Sequence, residues 1–159
     1  MKEIKNFLPA EEFKELQNLI LNFDFPWRIR ESMTDKDNNI YFTYSFFNEN
    51  KINSELYNQY IVPILTRLKC NAPIQIRANM CLNKLFKKSG WHTDYNLNNT
   101  TALFYINNCN GGTEFKIDGK IKFIKPEENK IVIFSSKIEH RACTSTDVDR
   151  RYVINFNYF

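Results

Sequence analysis

The stretch Gly-Trp-His-Thr-Asp at residues 90–94 contains one of the only two histidines in the chain, and His140 is the other. Side chains alternate between the two faces of an extended segment, so His92 and Asp94 point the same way. With one histidine from a distant strand they would form the two-histidine, one-carboxylate triad that binds Fe(II) and leaves coordination positions open. His140 lies 46 positions after Asp94. That separation is too long for one hairpin and suits two strands that meet inside a small barrel.

The His-x-Asp spacing is a weak signal when it stands alone. Chance supplies it often, and a surface histidine near an aspartate is usually only solvated. The metal hypothesis therefore depends on the rest of the carboxy-terminal half.

Composition predicts one soluble globular domain. The chain has 159 residues, 43% of them hydrophobic and 25% charged, and no apolar run approaches the roughly 18 residues of a membrane helix. The amino terminus lacks the apolar core of a signal peptide, so we expect a cytoplasmic protein with no membrane partner. The net charge of +4 permits a nucleic-acid partner. The lysines are spread along the chain, however, which is more typical of a solvated surface.

The four cysteines do not form a metal or redox motif. They are scattered and contain no Cys-x-x-Cys pair, which argues against a zinc knuckle and a dithiol site. We expect reduced, mostly buried thiols in a reducing compartment, which would also suit a ferrous site. They are Cys70, Cys81, Cys109 and Cys143.

Residues 1–72 predict two helices and a strand that buttress a sheet. Pro9 and the acidic pair after it mark the start of a helix over residues 10–22, with apolar residues at helical spacing. Residues 40–47 are rich in strand-forming aromatics. A second helical pattern covers residues 54–68, and Pro63 should kink or split it.

Residues 73–159 predict a run of short strands. Asp118-Gly119 is a strong two-residue hairpin signal, and Gly111-Gly112 and Glu128-Asn129 predict two more turns. We therefore expect a mainly β fold with flanking helices around a double-stranded β-helix, a cupin-like jelly roll. In a single domain over residues 1–159, residues 73–159 would be its metal-binding core. The predicted strands are 74–83, 100–107, 113–117, 120–124, 130–134 and 151–158.

Residues 77–159 resemble the Fe(II)- and 2-oxoglutarate-dependent oxygenases, in particular the prolyl-4-hydroxylase-like branch and the small oxygenases of bacteriophages. The lead-in at residues 6–9, with its helix, is also similar to that of the family. Six blocks in the family's order carry the resemblance: residues 92–94, 103–107, 111–115, 126–134, 140 and 151–159.

The resemblance implies a complete site for iron and 2-oxoglutarate. His92, Asp94 and His140 would be the iron ligands, and Arg151 would receive the far carboxylate of 2-oxoglutarate. A guanidinium suits that task because it matches a carboxylate in shape and charge. Relatives that halogenate have a small residue in place of Asp94, so its presence favours hydroxylation or hydroxylation-triggered demethylation. No catalytic residue is expected beyond the metal ligands.

Three further residues are assigned to the cosubstrate by resemblance. The hydroxyl of Tyr105 would contact the far carboxylate of 2-oxoglutarate together with Arg151, and Leu103 would pack against the cosubstrate's methylene groups. Asn79 would also touch the cosubstrate. Cys81 departs from the family pattern, because a tyrosine is usual at its position.

The last strand carries polar residues on the Arg151 face. Asn155 and Asn157 share that face, and we expect Asn155 to contribute to the cosubstrate site. Buried amides need hydrogen-bond partners, so they predict a wet or ligand-filled interior. The alternative is that this face of the strand is exposed. Arg150 points the other way and should be solvated, whereas the role of Arg141 stays open.

The implied activity is hydroxylation of a protein or peptide side chain, prolyl first. It would use Fe(II), 2-oxoglutarate and O₂, with ascorbate as an optional reductant, and would release succinate and CO₂. The alternatives are oxidation of a nucleobase and a non-catalytic jelly-roll module whose histidines bind zinc or nothing. A phage-encoded enzyme would act in the host cytoplasm. Trp91 is predicted to pack in the core, and the alternative is that it lines the entrance of the site. The sequence does not predict an oligomeric state. Substrate loops are expected at residues 28–38, 84–89 and 95–99.

Overall fold

The computed structural model describes residues 1–31, 39–85 and 87–159. Within these residues the chain forms eleven strands, two α-helices and a π-helical turn. The helices are α1 (Ala10–Leu21) and α2 (Val62–Leu68), and the π-helical turn is Tyr57–Ile61. The strands are β1 (Lys2–Ile4), β2 (Arg28–Arg30), β3 (Tyr41–Asn48), β4 (Lys51–Ile52), β5 (Pro73–Leu82), β6 (Thr100–Tyr105), β7 (Gly112–Ile117), β8 (Lys120–Ile124), β9 (Lys130–Ser135), β10 (His140–Cys143) and β11 (Arg150–Tyr158).

The described strands make two antiparallel sheets. The major sheet has the order β1-β9-β6-β11-β5-β3-β2, with β4 paired to β3, and the minor sheet has the order β10-β7-β8. An antiparallel bridge between His92 and His140 adds the segment before Asp94 to the free edge of β10. The predicted jelly roll with flanking helices is confirmed. Residues 1–72 supply four strands of the major sheet as well as the helices.

Alternation along β11 separates an apolar face from a polar one. Ile154 and Phe156 lie in one buried cluster with Phe104 of β6, and α1 contributes Leu16 and Ile20 to the same cluster. Burying a side chain of this size contributes roughly 1.5–3 kcal/mol, so this cluster carries much of the stability. The odd-numbered residues of β11, from 151 to 157, face the opposite way because the side-chain period of a strand is two.

The helices follow the predicted pattern with one refinement. Helix α1 begins directly after Pro9, as predicted. The second helical segment is split, with the π-helical turn followed by α2, and Pro63 lies in the first turn of α2. A proline is tolerated there because the first-turn N–H groups have no intrahelical partner. None of the described helices is both long enough and apolar enough to cross a membrane.

The hairpin prediction at Asp118-Gly119 is confirmed, because both residues have positive φ, 49° and 73°, between β7 and β8. The prediction of a turn at Gly111-Gly112 is wrong, since Gly112 opens β7 and pairs with Cys143. A Cβ added at Gly112 would lie 2.5 Å from the carbonyl oxygen of Ile124. Glycine is needed here for close backbone approach rather than for a turn.

The other local predictions have mixed outcomes. The turn at Glu128-Asn129 is confirmed, with φ of 58° at Asn129. The four cysteines are free, three of them buried and Cys70 half-buried, as expected. Strands β1, β2, β4 and β10 were not predicted, because each is four residues or fewer and contains charged residues that give no strand signal.

Replacing Gly112 by alanine tests the close approach of β7 to β8. We expect the free energy of unfolding to fall by about 1–3 kcal/mol, because the Ile124 carbonyl is held by the sheet and cannot move aside freely. Urea denaturation measures the change, with the exposed Lys120→Ala in the same hairpin as control. Equal denaturation midpoints for Gly112→Ala and the control would contradict this explanation.

Candidate metal centre

The three predicted ligands converge at one point. His92 Nε2 and His140 Nε2 lie 3.8 Å and 3.6 Å from Asp94 Oδ1, and the ligand atoms of the three residues are all within 4.8 Å of one another. These distances are too long for hydrogen bonds between the ligands. Two imidazole nitrogens and one carboxylate oxygen are the donor set that suits non-haem Fe(II), so the three residues can hold one such ion.

The backbone fixes the two histidines directly to each other. The His92 amide donates to the His140 carbonyl at 3.1 Å, and the His140 amide donates to the His92 carbonyl at 2.9 Å. The imidazole rings are 4.5 Å apart as a consequence. The sequence predicted that the two ligand segments meet, but it did not predict that the histidines are a cross-strand pair.

Each imidazole is oriented by a nearby carbonyl. His92 Nδ1 is 3.2 Å from the Gly90 carbonyl oxygen, and His140 Nδ1 is 3.0 Å from that of Ile138. Because a carbonyl only accepts, Nδ1 carries the proton and Nε2 keeps its lone pair toward Asp94. Burial lowers the pKa of His140 against the opposing effect of Asp94, which favours the neutral, metal-binding form.

Polar residues of the major sheet hold Asp94 by its other oxygen. Asp94 Oδ2 lies 3.0 Å from the Thr101 hydroxyl and accepts from the Asn155 amide at 3.2 Å. Asn157 donates in turn to Asn155 Oδ1 at 3.3 Å. Asn155 and Asn157 are buried, so the alternative of an exposed strand face is wrong. The sequence did not predict Thr101 as a site residue, although it points to the same face of β6 as Leu103.

Arg151 is buried, and no carboxylate of the described residues lies beside it. Its side chain is among the largest fully buried ones, and its Nη2 donates to the Thr113 hydroxyl at 3.0 Å. Its Nε has no hydrogen-bond partner, and no carboxylate of the described residues lies within ion-pair distance. Burial raises the pKa of the neighbouring Cys81 thiol, so that thiol stays neutral. A buried, unpaired cation is costly, which indicates an anionic ligand.

Thr113 links Arg151 to Tyr105. The Tyr105 hydroxyl also donates to Thr113 Oγ1, at 3.0 Å, and the Tyr105 ring is 5.7 Å from the Arg151 guanidinium. With both lone pairs of Thr113 engaged, its own proton is available to a ligand. Thr113 was not predicted, because a threonine in a strand is usually only a strand former.

One cavity joins the metal ligands to Arg151. The remaining predicted residues Asn79, Leu103 and Asn155 line it, whereas Tyr105 lies behind Thr113. Asn79 has a buried side-chain oxygen with no hydrogen-bond partner among the described residues. The triad at one place and the unpaired guanidinium at another fit Fe(II) and a dicarboxylate such as 2-oxoglutarate.

Trp91 does not belong to the core, so that prediction is wrong. It is half-buried and lies 4.3 Å from the Arg141 guanidinium and 4.7 Å from the Lys116 ammonium. Arg141 also pairs with Glu114 at 2.7 Å, as does Lys88. These contacts hold residues 88–91, which precede His92, against strands β7 and β10. Arg150 is exposed, as predicted.

The predicted substrate loops are only partly covered by the described residues. Residues 32–38 and residue 86 lie outside them, so the predictions for 28–38 and 84–89 are described in part. Residues 28–30 form β2. The Ser136 hydroxyl contacts the 95–99 loop, because it is within hydrogen-bond distance, 3.2 Å, of the carbonyl oxygens of Tyr95 and Leu97.

Comparison with solved structures shows the same fold in several proteins. An oxidoreductase of the 2OG-Fe(II) oxygenase family from Burkholderia pseudomallei is 12% identical with a TM-score of 0.76, over 97% of this chain and 81% of that one. A prolyl-4-hydroxylase of Pseudomonas putida is 14% identical with a TM-score of 0.72, over 99% and 90%. A prolyl hydroxylase of Trichoplax adhaerens, in complex with a hypoxia inducible factor peptide fragment, is 15% identical with a TM-score of 0.73, over 99% and 82%.

Sequence comparison identifies the family. No curated protein sequence matches the chain. The model of the 2OG-Fe(II) oxygenase superfamily matches residues 80–159, which include the triad and Arg151. The chain therefore belongs to the 2OG-Fe(II) oxygenase superfamily.

Proposed function

We propose that the protein is an Fe(II)- and 2-oxoglutarate-dependent dioxygenase that hydroxylates a protein or peptide side chain, prolyl first. Oxidative decarboxylation of 2-oxoglutarate to succinate and CO₂ would accompany the reaction. The observation that carries the proposal is the Arg151 guanidinium, buried without a carboxylate partner among the described residues, in the same cavity as the triad. A zinc-binding or empty module would have no use for that buried charge.

The metal would be held by His92 Nε2, Asp94 Oδ1 and His140 Nε2. Fe(II), when bound with 2-oxoglutarate and O₂, supplies the oxidising power that converts a C–H bond into a C–OH group. The protein's task is to present these three atoms on one side of the ion and leave the other side to ligands. Thr101 and Asn155 serve this task, because they occupy Asp94 Oδ2 and leave Oδ1 for the metal.

The cosubstrate would lie between the triad and Arg151. The guanidinium fork of Arg151 can bind the far carboxylate, and the free proton of Thr113 can donate to the same group. Leu103 and Val153 line the cavity between these ends and suit a chain of methylene groups. Tyr105 orients Thr113 from behind. In this arrangement Tyr105 acts on the cosubstrate through Thr113 rather than by direct contact.

Some of the similar structures support a peptide as the substrate class, whereas others are enzymes of nogalamycin biosynthesis. Two of the similar structures are prolyl hydroxylases, and one of them is bound to a peptide fragment. The retained carboxylate at Asp94 supports hydroxylation, because it leaves no room at the metal for a halide ligand. The resemblance to phage enzymes and a cytoplasmic location stay predictions.

Anaerobic titration of the purified protein with Fe(II) and 2-oxoglutarate tests the joint site. We expect the visible charge-transfer band of the iron and 2-oxoglutarate chelate, because the triad and Arg151 share one cavity. His140→Ala should abolish the band, and circular dichroism should show that the variant keeps its fold. Absence of a band in the unaltered protein, or an unchanged band in His140→Ala, would favour the non-catalytic module.

Replacing Arg151 by glutamine tests the cosubstrate site. We expect the Kd for 2-oxoglutarate to rise at least about tenfold, a loss of about 1.4 kcal/mol or more, because a buried carboxylate would lose its charged donor. Anaerobic calorimetry with Fe(II)-loaded protein measures it. Arg150→Gln is the matched control, since Arg150 is adjacent and exposed. Equal Kd values for the two variants would refute the assignment.

Replacing Thr101 by valine tests the support of Asp94. Removing this hydrogen bond should weaken Fe(II) binding by about 10–100-fold, because the carboxylate loses an orienting partner. Metal affinity is measured by competition with a chelator, and the melting temperature is measured in parallel. Thr66→Val, which removes an exposed hydroxyl from α2, should leave the affinity unchanged. The assignment fails when both variants bind Fe(II) equally well.

A further inference from the structure

The face of the major sheet that carries Arg151 and Asn155 extends across β5, β3 and β2. A second groove lies on this extension. Arg77 lines both this groove and the metal cavity. No carboxylate is among its lining side chains in the described part of the chain. Apart from Arg77 it is lined by Arg28, Ile29, Arg30, Thr43, Tyr44, Ser45, Asn48, Asn53 and Gln75.

Strand register connects this groove to the metal centre. Arg77 pairs with Ser45 on one side and with Asn155 on the other, and Asn155 donates to Asp94. Paired residues of neighbouring strands point to the same face of a sheet. Strands are about 4.8 Å apart, so β2 lies roughly 15 Å from β11, within reach of a substrate chain whose reacting residue is at the metal.

The part of the groove that the structure describes is positively charged. Arg28 and Arg30 are exposed, and neither they nor Arg77 lie within ion-pair distance of a carboxylate of the described residues. Arg77 Nε is buried with no hydrogen-bond partner in the part of the chain that is described, and the guanidinium lies 6.0 Å from the Tyr41 ring. Three guanidinium groups along one polar groove complement carboxylates, because each can bind one through two parallel hydrogen bonds.

The lining fits a peptide better than a nucleic acid. Binding of single-stranded nucleic acid relies on aromatic faces for base stacking. The only aromatic residue lining the described part of the groove is Tyr44, whose ring already packs against Phe25 and Phe46 at 4.7 Å and 5.0 Å. Strand β2 is the last strand of the described sheet, and an extended peptide can add to such an edge.

We propose that this groove binds an acidic segment of the substrate peptide, with Asp or Glu side chains flanking the residue that is oxidised. The inference rests on the proposed function as a side-chain hydroxylase and adds the sequence class of its substrate. Arg28 and Arg30 bind the acidic side chains at the far end, and Arg77 binds one near the metal. Because Arg28 and Arg30 are exposed, their contribution is screened by salt.

Fluorescence anisotropy with the Fe(II)- and 2-oxoglutarate-loaded protein, kept anaerobic, tests the groove. The probes are a labelled peptide with a central proline flanked by Asp and Glu, the same peptide with Asn and Gln, and a single-stranded oligonucleotide of equal charge. We expect the acidic peptide to bind at least about tenfold more tightly than the amide peptide, and the difference to shrink in high salt. Equal affinities for the two peptides would overturn the inference.

Charge reversal locates the binding site. Arg28→Glu with Arg30→Glu should remove most of the preference for the acidic peptide. The control Lys2→Glu with Lys120→Glu changes net charge equally at exposed positions outside the groove and should preserve the preference. An equal loss of preference in both double variants would overturn the groove assignment, as would tighter binding of the oligonucleotide that is lost only in the arginine variant.

Mass spectrometry after aeration separates this inference from the proposed function. A one-oxygen gain on the acidic peptide, at lower concentration than on the amide peptide, supports both. An oxygen gain on both peptides with equal KM overturns the acidic-segment inference and leaves the hydroxylase proposal standing. Selective binding of the acidic peptide without oxygen gain on either peptide supports the groove and counts against hydroxylation at proline.

Discussion

The buried charge of Arg151 is the constraint on which the site depends. Removing an unpaired guanidinium from water costs several kcal/mol, and within the described residues only neutral groups such as the Thr113 hydroxyl contact it. A fold keeps such a group when a bound anion offsets the cost. The metal triad lies in the same cavity, so one dicarboxylate can meet both requirements. This coupling of a buried charge to a set of metal ligands is why we propose a cosubstrate site rather than a simple metal site.

The major sheet can hold this buried charge because the two faces of β11 have different roles. The even-numbered residues of β11 pack against the helices in the apolar cluster, which supplies stability. The odd-numbered residues carry Arg151, Asn155 and Asn157 and are free to be polar. The face that carries these odd-numbered residues extends across the major sheet to Arg77 and β2. The proposed sites for metal, cosubstrate and peptide are therefore successive parts of one surface.

Most of the fold and the centre of the site were predictable from sequence. The strands and helices followed periodicity and turn residues, and the resemblance to the oxygenase family assigned the metal ligands and Arg151. Thr101 and Thr113 were missed because a threonine in a strand gives no sign of what its hydroxyl meets across the sheet. Trp91 was misassigned because its cation contacts come from Arg141 and Lys116, which are remote in sequence. Asn155 was correctly placed in the interior, yet its partner is Asp94.

The most direct measurement is an anaerobic crystal structure of the protein with Fe(II) and 2-oxoglutarate. The account predicts an ion bound by His92, Asp94 and His140, with the far carboxylate of 2-oxoglutarate in two-pronged contact with Arg151. A 2-oxoglutarate molecule bound to the ion with its far carboxylate away from Arg151, or an ion held elsewhere, would contradict it.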